Sequence, residues 1–444
     1  MGERLTVISR ILCVSLAVAA ATPATNAVAA SDPLLGEQWA LSEPAAIGAR
    51  EAWTQSRGAG VVVAILDSGV QLDHPDLAGN IWTNPGEIPG NGRDDDNSGI
   101  VDDVHGANMF DFSADVDDDN DHGTHVAGIV AARQGNGIGG SGIAPDAKIL
   151  PVKVLDSGMS GDTDMLAAGI RYAVDRGAKI LNVSVNTDTP TDAVTAAAGY
   201  AGRHGAIIVA SAGNNGRNID LVPSYPASLS DPAVLSVAAE QESGALWSLS
   251  NVGTQSVDLA APGEHIASTA RGSSYQSRTG TSAAAPFVAG SLALLSAARP
   301  DLPMSVLRSV ISDTTKHPSV LSSVVGDGRL DVGAAMHRAL TGRPWRTAST
   351  AGPTVRPTLR LRSTSKARAG SRVTLRWTAT AAGSVNRWRV SLDGRVVKSL
   401  PATAAGVSRR MTRAGRHTWR VVGFDSTGAK VVVAKRAFRV VRRG

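Results

Sequence analysis

The 444-residue chain contains one cysteine, Cys13, and no second thiol to pair with it. A disulfide framework is thereby excluded, so stability must come from a packed core and from bound ions. Acidic residues are missing from one end. From residue 341 onward there are 24 Lys+Arg against 2 Asp+Glu, which leaves 20 against 37 in the preceding part. The net charge of +5 thus conceals an acidic front and a strongly basic back, an asymmetry that predicts separate domains with different partners. Long hydrophobic runs are scarce as well. After the first 30 residues no segment reads as long and apolar enough to span a membrane, and the run 285–298 reads as a buried core helix.

Residues 1–30 carry Arg4 and Arg10 ahead of an apolar run from Ile11 to Ala21, then small residues ending Ala27-Val28-Ala29-Ala30. This is the pattern of a secretory signal peptide, and it predicts an extracellular protein. Cys13 lies inside that leader, and Arg10 three residues before it argues against a lipoprotein cleavage signal. The remaining length predicts two folded units. The first spans 31–340, a linker rich in Thr, Pro, Arg and Gly spans 341–357, and a basic module spans 358–444.

In the first unit a continuous apolar run from Val61 to Leu66 ends at Asp67, as expected of a buried parallel strand that delivers a carboxylate at its C-terminal end. The alternation repeats, with strands at Ile149 to Leu155, Ile180 to Val185 and Ile207 to Ser211 and an amphipathic helix from Met165 to Arg176. Strand, helix and strand in succession predict an α/β fold, a doubly wound parallel sheet flanked by helices, with active residues at the strand C-termini. Between Thr358 and Val441 apolar and basic residues alternate in six or seven short runs, with Asp393-Gly394 as a hairpin turn. This predicts a small all-β, Ig-like sandwich.

Three remote segments carry chemistry: DSGV at Asp67, HGTHVAG at His122 and GTSAAAP at Ser282. A serine hydroxyl is a poor nucleophile until an imidazole takes its proton, and the imidazole needs a carboxylate to fix its tautomer. Singly, each piece has a blander reading, the Asp as a turn and the Ser as a helix cap; together they point to a hydrolase. His122 and His125 at i, i+3 also offer a metal pair, but the Glu of an H-E-x-x-H site is absent. Helical spacing follows both His122 and Ser282, which puts each near a helix N-terminus, where the dipole favours a forming oxyanion. Pro286 is tolerable only close to that helix start or as a kink.

The order Asp, His, Ser and the wording of these motifs resemble the subtilisin-like serine proteases, from about Asp32 to about Leu340. The resemblance implies a secreted serine endopeptidase with a catalytic Asp67, His122 and Ser282, a structural His125, and no organic cofactor. It implies Asn214, in Ala212-Gly213-Asn214, as the side-chain donor of an oxyanion hole backed by Thr281, and Ser68 as a donor to the Asp67 carboxylate. Polypeptide substrate would lie extended along Ser184-Val185-Asn186 and Ser157 to Gly161, with Ser211, Ala212 and Gly213 walling the pocket for the residue before the cut. Sedolisin-type relatives replace the histidine base by Glu; with HGTH intact, activity is expected at neutral to alkaline pH. The sequence departs from the family twice. Asn186 stands where Gly is usual, which puts cleavage preference in doubt, and no propeptide separates the leader from the protease unit.

Calcium is the expected ion, held by side chains of Asp32, Asp76 and Asn136 and carbonyls of Ile138 and Gly140, where related proteases place a tight site. A second candidate loop has acids at EF-hand-like positions, Asp94, Asp96 and Asp102, but His105 in place of the bidentate Glu. The run Asp115 to Asp121 reads as a third cation site or, the reading preferred, as a solvated acidic rim. For residues 358–444, with Trp377, Trp388 and Trp419 among many Arg, the readings are an anionic polymer or cell-wall contact, or simply a Trp core with wet Arg faces. The competing function is a catalytically silent secreted binding protein that acts through this basic module.

Overall fold

The central strands of the first unit are almost continuously apolar because helices cover both faces of the sheet they form. This arrangement comes from a computed structural model that describes residues 31–42, 47–318, 321, 325–342, 359–379, 387–393, 395–401, 404–424 and 430–441. The predicted signal peptide with Cys13, and residues 343–357 of the predicted linker, lie outside the described residues.

The strands are β1 (Val62–Asp67), β2 (Ala107–Asn108), β3 (Lys148–Lys153), β4 (Ile180–Val183), β5 (Ile207–Ser211), β6 (Val234–Glu240), β7 (Leu259–Pro262), the hairpin β8 (Ile266–Ala270) and β9 (Ser274–Arg278), and β10 (Gly328–Arg329). The helices are α1 (Ala49–Trp53), α2 (His122–Ala131), α3 (Thr163–Asp175), α4 (Asp192–Arg203), α5 (Thr281–Ala298), α6 (Met304–Thr314) and α7 (Val332–Thr341). Eight strands form one sheet in the order β10-β7-β6-β5-β4-β1-β3-β2, and every pairing in it is parallel. After β1 the chain forms the edge strand β2, then β3 between that edge and β1, and only then crosses to β4 on the other side of β1. This reversal opens a crevice at the C-terminal ends of β1 and β4, where ligands of such sheets bind.

Alternate residues of each strand face opposite layers. Val63, Ile65, Ile149, Ile180, Val209 and Val237 pack with α2 and α5 in one core. Ala64, Leu66, Val152, Leu181, Val183 and Ile208 pack with α3 and α4 in the other. Helix α5 is by length and composition apolar enough to cross a membrane, contrary to the expectation that no segment is, but 78% of that window is buried inside the protein. Its all-round hydrophobicity has the same cause as that of the strands, enclosure on every side. Strand β3 stops at Lys153, short of Leu155, because Val154 N and Leu155 N both turn to the Asp67 carbonyl.

The basic module contains eight described strands, β11 (Leu359–Arg362), β12 (Lys366–Arg368), β13 (Arg372–Ala379), β14 (Arg387–Leu392), β15 (Arg395–Pro401), β16 (Gly406–Arg410), β17 (Gly415–Phe424) and β18 (Lys430–Val441). They form two sheets, β11-β13-β16 and β12-β18-β17-β14-β15, antiparallel except where β12 joins β18. One strand more is present than the alternation predicts, since β12 and β16 are short and largely polar. Val373, Leu375, Trp377, Trp388, Val390, Trp419, Val421 and Phe438 fill the space between the sheets, so these tryptophans are core residues. Asp393, at φ 51°, takes the turn between β14 and β15.

Candidate active site

Asp67 ends β1 at the crevice, and its fully buried carboxylate accepts a 2.7 Å hydrogen bond from Nδ1 of His122, the first residue of α2. Gly123 allows this approach, because a Cβ there would stand 2.0 Å from the Gly69 carbonyl oxygen. Burial alone would lower the pKa of the imidazole. The charge and hydrogen bond of Asp67 outweigh burial, so the His122 pKa lies above its ordinary value, with Asp118 helping and Arg278 opposing. His125 behaves differently. Burial pushes its pKa down to about 3, and Nε2 donates to the Ile266 carbonyl at 3.0 Å, so it is a neutral packing residue rather than half of a metal pair.

The first N–H groups of a helix have no partner within it, and α2 meets this need with a buried acid that sequence reasoning had placed on the solvated rim. Asp118 is fully buried. Its carboxylate accepts from Thr124 N (2.8 Å) and Oγ1 (2.6 Å), from Ser68 Oγ (2.8 Å), and from the amides of Asn120 (3.0 Å) and Asp121 (3.1 Å). Ser68 thus serves Asp67 through its backbone, its N–H lying 2.8 Å from Asp67 Oδ1. Its hydroxyl instead links Asp118 to the Gly123 amide. Of the remaining acids, Asp115, Asp117 and Asp119 are exposed, as a rim would be, and Asp121 is half-buried.

Ser282 occupies the second position of α5, with Gly280 as the preceding cap. Asn214, just beyond β5, accepts from Thr281 N (2.9 Å) and Thr281 Oγ1 (2.8 Å) through Oδ1, and Thr281 Oγ1 in turn accepts from Gly213 N at 3.0 Å. These bonds fix the amide orientation and leave Nδ2 as the outward donor. A Cβ on Gly280 would lie 3.2 Å from that Nδ2 and 3.3 Å from Ser282 Oγ, so the two atoms flank one bare Cα. The Ser282 N–H has no acceptor among the described residues, so this amide and Asn214 Nδ2 are both free to donate. Pro286 has no N–H to return to the Ser282 carbonyl four residues earlier; Ser184 Oγ donates to that oxygen instead, at 3.3 Å. No hydrogen bond joins His122 Nε2 to Ser282 Oγ among the described residues.

Three segments border the site. Ser157 to Gly161 forms a tight loop around the Asp156 carboxylate, which accepts from the amides of Gly158 and Ser160. The Ser157 carbonyl accepts from Asn120 at 2.8 Å, which fastens this loop beside His122. Ser184, Val185 and Asn186 follow β4, and Ser211, Ala212 and Gly213 close β5. These two strands are neighbours in register up to the pair Val183 and Ala210.

The residues expected to hold calcium come together in the fold. Asp32 accepts from the amides of Gly135, Asn136 and Gly137 at 2.7, 3.0 and 3.1 Å, and Leu34 N reaches the Gly139 carbonyl. Asp76 accepts from Asn136 Nδ2 at 2.6 Å and from the Tyr275 hydroxyl at 3.2 Å. Burial, with Asp32 adding to it, pushes the Asp76 pKa up to about 6. Among the described residues neither carboxylate has a Lys or Arg partner, and the carbonyls of Ile138 and Gly140 accept no hydrogen bond. An uncompensated pair of acids beside spare carbonyls fits a hard divalent cation.

In the second loop Asp94 accepts from the amides of Ser98 and Gly99, and Asp102 from those of Gly90, Asn91 and Gly92. Only Asp96 joins a cluster, with Glu87 and Asp103, whose ligand atoms lie within 4.8 Å of one another. Arg176 pairs with Asp96, and Tyr172 donates to Asp103 at 2.6 Å. Asp103 belongs with Asp102 to the candidate loop read from the sequence, whereas Glu87 has no distinguishing sequence signal. His105 turns its Nδ1 to the Trp82 carbonyl.

The family model for the subtilase family matches residues 58–332. The chain is 37% identical over 288 residues to thermitase from Thermoactinomyces vulgaris, covering 65% of this chain and 92% of that one. It is 38% identical over 245 residues to a thermophilic serine proteinase from Bacillus sp. strain AK1, covering 55% of this chain and 54% of the other, and so spans about half of that relative. Among solved structures, a protease from Pseudoalteromonas arctica superposes with a TM-score of 0.60 at 29% identity, over 70% of this chain and 99% of that one.

Proposed function

This chain belongs to the subtilase family of serine-type endopeptidases, and on that premise we propose that it cleaves peptide bonds with Ser282 as nucleophile, His122 as general base and Asp67 as the carboxylate that orients the base. His122 Nε2 takes the Ser282 Oγ proton as Oγ attacks the scissile carbonyl carbon. The carbonyl oxygen becomes an oxyanion between Asn214 Nδ2 and the Ser282 N–H, donors that need no rearrangement to receive it. The proton on Nε2 passes to the departing amine. Water then hydrolyses the acyl-enzyme by the same route in reverse, restoring Ser282. Since catalysis needs neutral His122 and Asp67 raises its pKa, activity falls as pH drops through a value above that of ordinary imidazole.

The observation that carries this reading is the pair of unspent donors, Asn214 Nδ2 and the Ser282 N–H, with Nδ2 and Ser282 Oγ both beside Gly280. Substrate would pair as an added strand with Ser184–Asn186 and Ser157–Gly161. Calcium at Asp32, Asp76, Asn136, Ile138 and Gly140 would neutralise the buried acids and fasten residues 32–34 to the loop 135–140. Labelling by a fluorophosphonate, with peptide-library digestion with and without chelator, tests the proposal against Ser282→Ala. We expect labelling and cleavage that vanish in the variant; an unlabelled, calcium-loaded wild type would instead support the silent binding protein.

For residues 358–444 the reading is contact with an anionic polymer outside the cell. Its support is the strand register: exposed Arg362 faces Arg376, Arg372 faces Arg410, Arg416 faces Arg439 and Arg420 faces Lys435. Like charges directly opposite one another destabilise a sheet unless anions intervene. Retention on an anionic matrix that fades with salt, and is absent from a chain ending at Leu340, is the expected result.

A further inference from the structure

We infer that Asn186 sets the cleavage preference, by lacing shut the gap that receives the side chain preceding the cut and so restricting it to glycine, alanine or serine. The inference rests on the proposed catalytic role of Ser282. Ser282 Oγ and Asn214 Nδ2 fix where a substrate carbonyl sits, and the side chain on its acyl side must then enter a space bordering both residues. Two segments border them. Ser184 is bonded to the Ser282 carbonyl, and Gly213 to the hydroxyl of Thr281. The space between these segments, beyond the last strand pair of Val183 and Ala210, is therefore the receiving gap.

Asn186 crosses that gap. Its Nδ2 donates to the Ser211 carbonyl at 2.7 Å, and its Oδ1 accepts from the Ser211 hydroxyl at 3.0 Å. One amide thus engages a single residue through both ends, closing a ring between the segments that follow β4 and β5. Ser211 is almost fully buried, and its side of the ring is held by the sheet. A large apolar side chain would have to break both bonds and leave the Ser211 carbonyl and hydroxyl against hydrocarbon, which is unfavourable. A methyl or hydroxymethyl group avoids this by stopping short of the ring. Glycine at this position, usual in subtilases, has no side chain with which to make the bridge.

Peptide anilides that differ only in Ala or Phe before the cleaved bond provide the test, with the full-length calcium-loaded enzyme, Asn186→Gly and Asn186→Ala. The second variant removes the bridge without adding backbone freedom, so a fold defect in the first does not decide the matter. Wild type should favour Ala, and either variant should raise the Phe-to-Ala ratio of kcat/KM at least tenfold, whatever common change both substrates undergo. Such a split is what a mere structural role would not give. A wild type that prefers Phe, or a ratio unmoved in a folded variant, overturns the inference. If wild type neither cleaves nor takes a fluorophosphonate at Ser282, the protease reading fails and this one with it; labelling with an unchanged ratio removes only the role of Asn186.

Discussion

Replacing Asp118 by Asn changes one oxygen for an NH2 at nearly constant volume, and the structure shows how much this should cost. The carboxylate receives five donors, two on Oδ2 and three on Oδ1. Whichever oxygen becomes the amide nitrogen, it faces at least one backbone N–H that cannot turn away: Thr124 on one side, Asn120 and Asp121 on the other. A bond to a charged acceptor is then lost and a buried donor left unmet, together about 2–4 kcal/mol. The pH dependence has a definite sign. Burial would raise the Asp118 pKa, but its donors outweigh burial and hold it below the ordinary value. The contribution is therefore complete above the unfolded pKa of about 3.9 and drains away as pH falls through the native one. Urea titrations in a Ser282→Ala background, free of self-digestion, should show Asp118→Asn less stable by that amount at pH 7, with the gap narrowing below about pH 4. A gap under ~1 kcal/mol at pH 7, or one that persists undiminished in acid, would refute the reasoning.

Three other outcomes are expected. Asn214→Ala should lower kcat by about 10²–10³ with little change in KM, because the donor acts on the oxyanion rather than on bound substrate; a loss confined to KM would contradict this. Arg278 lowers the His122 pKa, so Arg278→Gln should move the acid limb of the kcat/KM profile to higher pH, and a shift the other way would count against the electrostatic account. Chelation should lower the thermal midpoint of the wild type, and Asp76→Asn should remove most of that response; an equal response in both would exclude Asp76 as a ligand.

What could be read from the sequence followed the kind of signal each residue leaves. The strands of the sheet announce themselves as apolar runs since both faces are buried, and Asp67, His122 and Ser282 sit in local wording that the fold needs at strand or helix ends. The buried role of Asp118 did not show, because an acid within Asp-Val-Asp-Asp-Asp-Asn-Asp looks like its neighbours until Ser68, fifty residues earlier, closes over it. Asp94 and Asp102 show their spacing in the sequence, that of a cation loop, but not the backbone amides that their carboxylates accept in the fold. The meaning of Asn186 emerged only with its partner. Sequence marked the residue as a departure, while the side chain's crossing to Ser211 depends on two strands that pair in space.

Helix α5 begins at Thr281 and is buried almost continuously from Ala283 to Leu295, in contact with α2, α6, α7 and five strands. The Ser282 hydroxyl is thus mounted on a helix enclosed on nearly every side, with little freedom to open. Hydrogen exchange there should approach the rate set by global unfolding. A protease must survive its own kind, and a serine anchored in this way cannot be loosened by fraying at the surface. Loss of function with age should then follow whole-molecule unfolding, not gradual decay of the catalytic centre.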